Sequence, residues 1–321
     1  MGIEVSRVLV TGALGQIGSE LTPKLKQSYG RDNIVASDIR TPEGDYSGIF
    51  EVLDVTKPDE IKKVIREYDI DTIVHLAAIL SATGERKPDL AWQINVEGLM
   101  NILNAARDHD LTRVFNPSSI AAFGPETPGE LTPQNTIQRP KTIYGISKVI
   151  GELLGNYYFE KYGVDVRGAR LPGIISNVAP PGGGTTDYAV EIFYEAIKEK
   201  RYTCFLREDT VLPMMYMPDC LNAFIKLLNA ELADLTHHCD YNIAAISFSP
   251  SELVSEIKRH IPELEVLYKP DYRQAIADSW PRSIDDSTSR EDWGWEPEYD
   301  LPKMVDDMYR VLVKRYVDGE F

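Results

Sequence analysis

Short apolar runs alternate with longer amphipathic stretches from residue 7 to residue 171, and this alternation leaves few folds open. The runs at 7–11, 33–37, 72–77, 113–117 and 165–171 are rich in Val, Ile and Leu and read as buried strands. Between them, residues 17–29 put Ile17, Leu21 and Leu25 on one helical face, and residues 58–68 do the same with Ile61, Val64 and Ile65. Residues 91–109 and 144–162 read as two longer helices. Strand following helix in this rhythm predicts an α/β fold with a doubly wound parallel sheet covered on both faces.

The first run leads into Thr11 and then Gly12, Gly15 and Gly18. Glycine permits the tight turn from strand to helix, lets backbone approach a pyrophosphate, and lets helix pack close to strand. The helix N-terminus then offers free N–H groups and a positive dipole end to phosphates. Asp38, about twenty positions past the last glycine, ends the second strand where a carboxylate bonds ribose hydroxyls and repels a 2′-phosphate. The combination predicts a Rossmann fold that binds NAD, with Arg40 as the contrary sign for NADP.

The pattern loosens after about residue 173. Pro180, Pro181, Gly182, Gly183 and Gly184 mark a loop, a helix is expected over 188–198, and a Tyr- and Pro-rich tail with short elements follows. The expected organisation is an NAD-binding domain over 1–174, with segments near 213–246 returning to it. A smaller, lid-like and mainly substrate-binding domain covers 175–321.

The three-residue spacing of the glycines resembles the extended branch of the short-chain dehydrogenase/reductase superfamily. That resemblance implies that Gly12, Gly15, Gln16 and Ile17 hold the cofactor, that Asp54 and Val55 stand near adenine, and that His75, Leu76, Ala77 and Ala78 form the strand end beside it. It adds Asn95, Leu171 and Ile174 to the cofactor set, Asn95 at a position that commonly stabilises the sheet. His75 by itself reads as a packed core histidine rather than a catalyst.

Tyr144 and Lys148 are four residues apart, on one helical face. A phenol with a pKa near ~10 is a poor base at neutral pH. A neighbouring ammonium and a positive nicotinamide ring are expected to lower it. The pair resembles the superfamily's Ser/Tyr/Lys set. Aligning Phe123 and Gly124 with the family's aromatic-Gly pair implies Ser119 as the catalytic serine, with Ser118 beside it, and Lys148 as a holder of the nicotinamide ribose. The apolar surface over 149–162 resembles the dimer helices of the superfamily, which implies a homodimer.

Nucleotide-sugar enzymes of this branch carry an Arg-Asp-aromatic segment that grips a diphosphate, whereas Leu212 and Pro213 occupy those positions here. The stretches 180–193, 212–219 and 279–286, with Trp293 and Trp295, resemble the short-chain type of L-threonine 3-dehydrogenase over nearly the whole chain. The resemblance implies oxidation of L-threonine to L-2-amino-3-oxobutyrate, with Tyr144 as base and Ser119 on the reacting oxygen. It names Ser81, Gly184, Thr185, Thr186 and Trp280 for the amino-acid end. Thr185 and Thr186 offer donors to a carboxylate. Asp187 is either the ammonium partner or a helix cap, and Trp280 either lines the site or packs in the core. The rivals are a nucleotide-sugar epimerase or dehydratase of the same fold, and a non-catalytic NAD-binding regulator. Ser119, Tyr144 and Lys148 speak against the regulator.

With 50 acidic and 34 basic residues the chain carries a formal charge of −16, which repels nucleic acid and anionic membranes. Three widely spaced cysteines, Cys204, Cys220 and Cys239, suit a reducing cytoplasm rather than a disulfide framework. There is no apolar run of membrane-spanning length and no signal-peptide core. Gly2 and Ser6 fit an N-myristoylation pattern, or else Gly2 simply precedes the first strand. No metal is expected: His237, His238, Cys239 and Asp240 form the one cluster and read as a loop entering a strand.

Overall fold

The computed structural model describes residues 5–180 and 182–321; the acylation pattern at Gly2 and the loop residue Pro181 lie outside the described residues. The apolar runs form β1 (Val8–Thr11), β2 (Ile34–Asp38), β4 (Thr72–His75) and β5 (Arg113–Phe115), buried throughout because helices cover both faces. Between β2 and β4 lies β3 (Ile49–Val52), which the apolar pattern does not announce. It is an edge strand paired only with β2 and only half buried, so no continuous apolar run is needed. After β5 come β6 (Ser118–Ser119), β7 (Val166–Arg167), β8 (Ala169–Leu171) and β9 (Gly173–Ile175).

Six parallel strands form the main sheet in the order β3-β2-β1-β4-β5-β7. The order reverses between β1 and β4, so the carboxyl ends of these two strands open a crevice where such folds bind ligands. Helix α1 (Gln16–Tyr29) leaves β1, and α2 (Pro58–Glu67) buries Ile61, Val64 and Ile65 as the period predicts. The helix expected over 91–109 is three pieces. After α3 (Ser81–Arg86), α4 (Pro88–Trp92) runs into a π-helical stretch, Gln93–Gly98, and then into α5 (Leu99–Asp108). The wide turn presents Asn95, whose side-chain oxygen accepts from the Ile79 amide at 2.8 Å while its Nδ2 donates to the Ile79 carbonyl at 3.0 Å. Helix α6 (Ile143–Tyr162) is capped by the Thr142 hydroxyl, which accepts from the Gly145 amide, and ends at Gly163 in the left-handed region.

The second half adds α7 (Tyr188–Glu199), β10 (Arg201–Cys204), β11 (Leu212–Tyr216), α8 (Met217–Asn229), β12 (Tyr241–Asn242), β13 (Ile246–Phe248), α9 (Pro250–Ile257) and β14 (Glu265–Tyr268). Helices α10 (Arg273–Ala277), α11 (Ser287–Trp293) and α12 (Leu301–Val317) complete it. Small sheets β12-β8-β6 and β13-β11-β9 tie this half to the first. One core packs Phe193, Tyr216, Phe248, Met304 and Met308. The face of the main sheet that carries Val8 and Val10 is covered by α1, by Phe224 and Leu227 of α8, and by Trp293 and Trp295. The Trp293–Trp295 segment thus packs in the same core as α8 and Tyr241 of β12. Cys204, Cys220 and Cys239 are free and buried. No helix among the described residues is long and apolar enough to cross a membrane.

Candidate active site

The crevice at the carboxyl ends of β1 and β4 widens into a cleft of about 220 Å³ that reaches the Gly-rich loop before α7. Its cofactor side begins at the turn after β1. Gly12 has φ +70°, and a Cβ there would sit 2.7 Å from the Ala77 amide nitrogen. A Cβ on Gly18 would sit 2.3 Å from the Gly12 carbonyl oxygen, so α1 packs on its own turn only with glycine at this position. No side chain caps α1, and its first turn contains no acid. Free N–H groups at a helix start without competing carboxylate fit a pyrophosphate.

Gly12, Gly15, Gln16, Ile17, Leu76, Ala78, Ser118, Leu171 and Ile174 all line this cleft. Gln16 is held by a 3.3 Å bond from its Nε2 to the Ile174 carbonyl. Five expected cofactor residues stand outside the lining. Asp38 is 7% exposed and accepts from the Leu14 amide at 3.1 Å, bracing the glycine turn. Arg40, read from sequence as the contrary sign, is itself paired to Asp38 at 3.1 Å and donates to the Leu14 carbonyl. Asp54 accepts from the Thr56 amide and hydroxyl, and the Val55 carbonyl accepts from Asn101, so both fasten the turn into α2. Ala77 and Asn95 face a small void behind the cleft, with His75 and Ser147. Asn95 acts there as a clamp on Ile79 and Ser147.

The reacting groups converge from β6 and α6. Tyr144 and Lys148 face the cleft one turn apart, and the Lys148 Nζ lies 5.4 Å from the centre of the Tyr144 ring. The ammonium donates to the Pro117 carbonyl at 2.7 Å. Ser119 lines the cleft beside Tyr144, its hydroxyl oxygen accepting from the Ala121 amide at 3.2 Å. The Ser118 hydroxyl instead donates to Glu152. Burial pushes the Tyr144 phenol up to about 12, and the neighbouring Ser119 hydroxyl is what opposes it. Burial also pulls Lys148 down to about 8, against the pull of Glu152. His75 is a core histidine bonded through Nδ1 to the Thr11 hydroxyl at 2.8 Å, held neutral by burial and then by the Lys148 charge, with its pKa near 3.

The opposite wall is built from Ser81, Gly184, Thr185, Thr186, Asp187 and Trp280. The Ser81 and Thr185 hydroxyls pair at 3.2 Å, joining α3 to the loop before α7. Asp187 precedes α7 but does not cap it. Its Oδ2 accepts from the Gly183 and Gly184 amides at 2.7 and 2.8 Å, folding the glycine loop back over the cleft. Burial raises the Asp187 pKa, and these amides oppose the rise. Trp280 both lines the cleft and packs against the second-half core. Sequence reasoning missed Leu80, Pro117, Ile120, Pro172 and Gly173 as lining residues. Leu80, Pro172 and Gly173 adjoin residues that were picked out. Pro117 contributes a carbonyl, for which no side-chain signal exists.

Leu212 and Pro213 lie in β11, buried and paired with Phe248 and Ser247 of β13, so they belong to the core and not to the cleft. The 237–240 cluster disperses: Cys239 donates to the Val166 carbonyl, His238 stacks on Phe159, and His237 meets Asp240 at 3.4 Å. Among the described residues no group of His, Cys, Asp and Glu is placed to hold a metal ion.

Comparison with known proteins matches this architecture. The chain is 50% identical over 315 residues to an uncharacterised epimerase/dehydratase of Staphylococcus haemolyticus, covering 97% of this chain and 99% of that one. The solved L-threonine dehydrogenase of Clostridium difficile superposes with a TM-score of 0.95 at 51% identity, covering 98% and 99%. A monomeric L-threonine 3-dehydrogenase of metagenomic origin superposes with a TM-score of 0.93 at 48% identity, covering 96% and 99%. Residues 8–244 match the profile described as the NAD dependent epimerase/dehydratase family, and the chain belongs to that family.

Proposed function

We propose that this chain oxidises L-threonine at its β-hydroxyl to L-2-amino-3-oxobutyrate, with Tyr144 as base. One observation carries the reading: the Ser119–Tyr144–Lys148 constellation shares its cleft with a wall of hydroxyls and one carboxylate, Ser81, Thr185, Thr186 and Asp187. That wall suits a small zwitterion. Thr185 and Thr186 supply donors to the carboxylate, and Asp187 meets the ammonium group. Nothing in the wall suits a nucleotide diphosphate, since the strand where relatives carry their arginine is closed core here.

Gly12, Gly15, Gln16 and Ile17 hold the pyrophosphate of NAD, and Leu76, Ala78, Ser118, Leu171 and Ile174 line the remainder of its bed, while Asp38, at the end of β2 beside the glycine turn, takes the adenosine ribose. When bound, NAD⁺ supplies the acceptor for the hydride that leaves the β-carbon. The Tyr144 phenolate takes the hydroxyl proton, and Ser119 donates to the same oxygen. A phenol whose pKa lies near 12 needs positive charge close by to act as a base at neutral pH, and Lys148 is the cation the chain provides. The Gly183–Gly184 loop, folded over by Asp187, excludes water.

NADH formation with L-threonine, L-serine and L-allo-threonine tests the proposal. Wild type is expected to oxidise L-threonine, and Tyr144→Phe to lose about 10²–10⁴-fold in kcat. Turnover of a UDP- or GDP-sugar without threonine oxidation overturns it. The chain is further proposed to be cytoplasmic and to form a homodimer through α6, where Ile146, Leu153 and Tyr157 are exposed. Light scattering that returns a monomer, as in the metagenomic relative, refutes the dimer.

A further inference from the structure

Three successive turns of α6 grip three successive residues of the chain at β6. Tyr144 meets Ser119, Lys148 donates to the Pro117 carbonyl, and Glu152 accepts from the Ser118 hydroxyl. Glu152 is not used in the chemistry described above, yet it is among the most enclosed charges in the protein, with 3% of its surface exposed. All of its acceptor capacity is engaged. Arg170 on β8 binds it in a two-pronged fashion at 3.0 and 2.9 Å, and Gln138 donates to it at 2.7 Å. Arg170 is 4% exposed and also donates to the Gln134 carbonyl and the Asn242 side chain. A buried ion pair of this kind is weak evidence for stability in itself. Its position, one turn beyond the catalytic ammonium, calls for another account.

We propose that Glu152 is a positioning residue for the oxidation: its carboxylate fastens the Ser118–Ser119 strand to α6 and sets a fixed negative charge one helical turn from the Lys148 ammonium. The inference rests on the function proposed above. The charged and titratable groups around Lys148 leave Glu152 alone in this role. From β4 comes His75, which is neutral; from α6 come Tyr144 and Glu152; from β8 comes Arg170, behind Glu152. The neighbours Asn95, Asn116 and Ser147 carry no charge. Burial favours the neutral amine, and Glu152 is the group that opposes it.

Charge and grip are separable by substitution. Glu152→Gln removes the anion. Glu152→Asp keeps the anion and, one methylene shorter, releases the Ser118 hydroxyl. The Glu152→Gln/Arg170→Gln double variant removes the anion without leaving Arg170 unpaired, which covers the case in which the single variant fails to fold. The lysine ε-carbon NMR signal of cofactor-free protein, assigned by its loss in Lys148→Arg, reports the titration directly. It is expected to move lower in the glutamine variant, to move less in the double variant, which removes the Arg170 cation together with the anion, and to stay in place in the aspartate variant. In threonine oxidation the alkaline limb of kcat/KM follows the same order, and kcat falls in the aspartate variant although its titration is unmoved. A Lys148 titration unchanged by loss of the anion, or displaced as far by aspartate as by glutamine, overturns the electrostatic role. An unchanged kcat in the aspartate variant overturns the grip. The NMR titration needs no substrate, so its failure is distinct from a failure of the threonine reading.

Discussion

Asp187 lends itself to a substitution that separates two roles. Its Oδ2 accepts both loop amides, from Gly183 and Gly184, while the carboxylate as a whole borders the cleft. Asparagine retains one carbonyl oxygen able to accept those two N–H groups, so Asp187→Asn leaves the loop folded and removes only the negative charge. A hydrogen bond to a charged group contributes about 1.5–3 kcal/mol and a neutral one about 0.5–1.5 kcal/mol. The difference, about 1–2 kcal/mol, corresponds to roughly 5–30-fold in kcat/KM for a substrate carrying an ammonium group. Asp187→Ala loses the loop acceptor as well and is expected to fall further. The assay is the initial rate of NADH formation against L-threonine and against 3-hydroxybutyrate, which is threonine without its ammonium. Asp187→Asn should depress the first and leave the second nearly untouched. Equal losses with both substrates, or a threonine kcat/KM within about twofold of wild type, would refute the assignment of Asp187 to the ammonium.

Two further outcomes follow from the cofactor side. Gly18→Ala places a Cβ 2.3 Å from the Gly12 carbonyl oxygen and 2.7 Å from the Ala13 Cα, both backbone atoms that cannot swing aside. It should cost about 1–3 kcal/mol in urea unfolding and weaken NAD binding in a fluorescence titration; wild-type values in both would contradict the packing argument. His75 is neutral in the fold, with its pKa depressed from 6.5 to about 3, so below 6.5 the unfolded chain binds a proton that the folded chain refuses. Stability is therefore lost as pH falls from 6.5 toward about 3, at up to about 1.4 kcal/mol per pH unit from this group. Urea unfolding of His75→Asn should lose that component of the slope, and curves parallel to wild type across this window would disprove it.

The main strands could be read from the sequence because they are buried on both faces and their apolar runs have no competing explanation. The edge strand β3 lacked that signal, since one partner and half burial ask little of its side chains. The π-helical turn at Gln93–Gly98 was hidden for a different reason: its Asn95 bonds Ile79, a tertiary partner that no local pattern announces. In the site, Tyr144 and Lys148 were visible as a spacing on one helix. Glu152 shares that face but its meaning depends on Arg170 and Ser118, which only folding brings to it. The Ser81–Thr185 pair joins positions 104 residues apart, and no local pattern encodes it. Asp187 was left between two roles, and the fold added a third, holding the glycine loop.

The cover on Val8 and Val10 has a consequence for how the protein is made. The strand that carries the glycine turn leaves the ribosome long before Trp293 and Trp295 do. The face it presents is finished only when α8, Trp293 and Trp295 arrive. Synthesis proceeds at about 5–20 residues per second, so this apolar surface stays open for many seconds and invites chaperone binding or misassociation. The nascent sheet can pair its strands early, yet a truncated product ending before Trp293 would keep a sticky face beside an otherwise formed nucleotide crevice. Assembly of the cofactor half is thereby timed by a segment translated long after it.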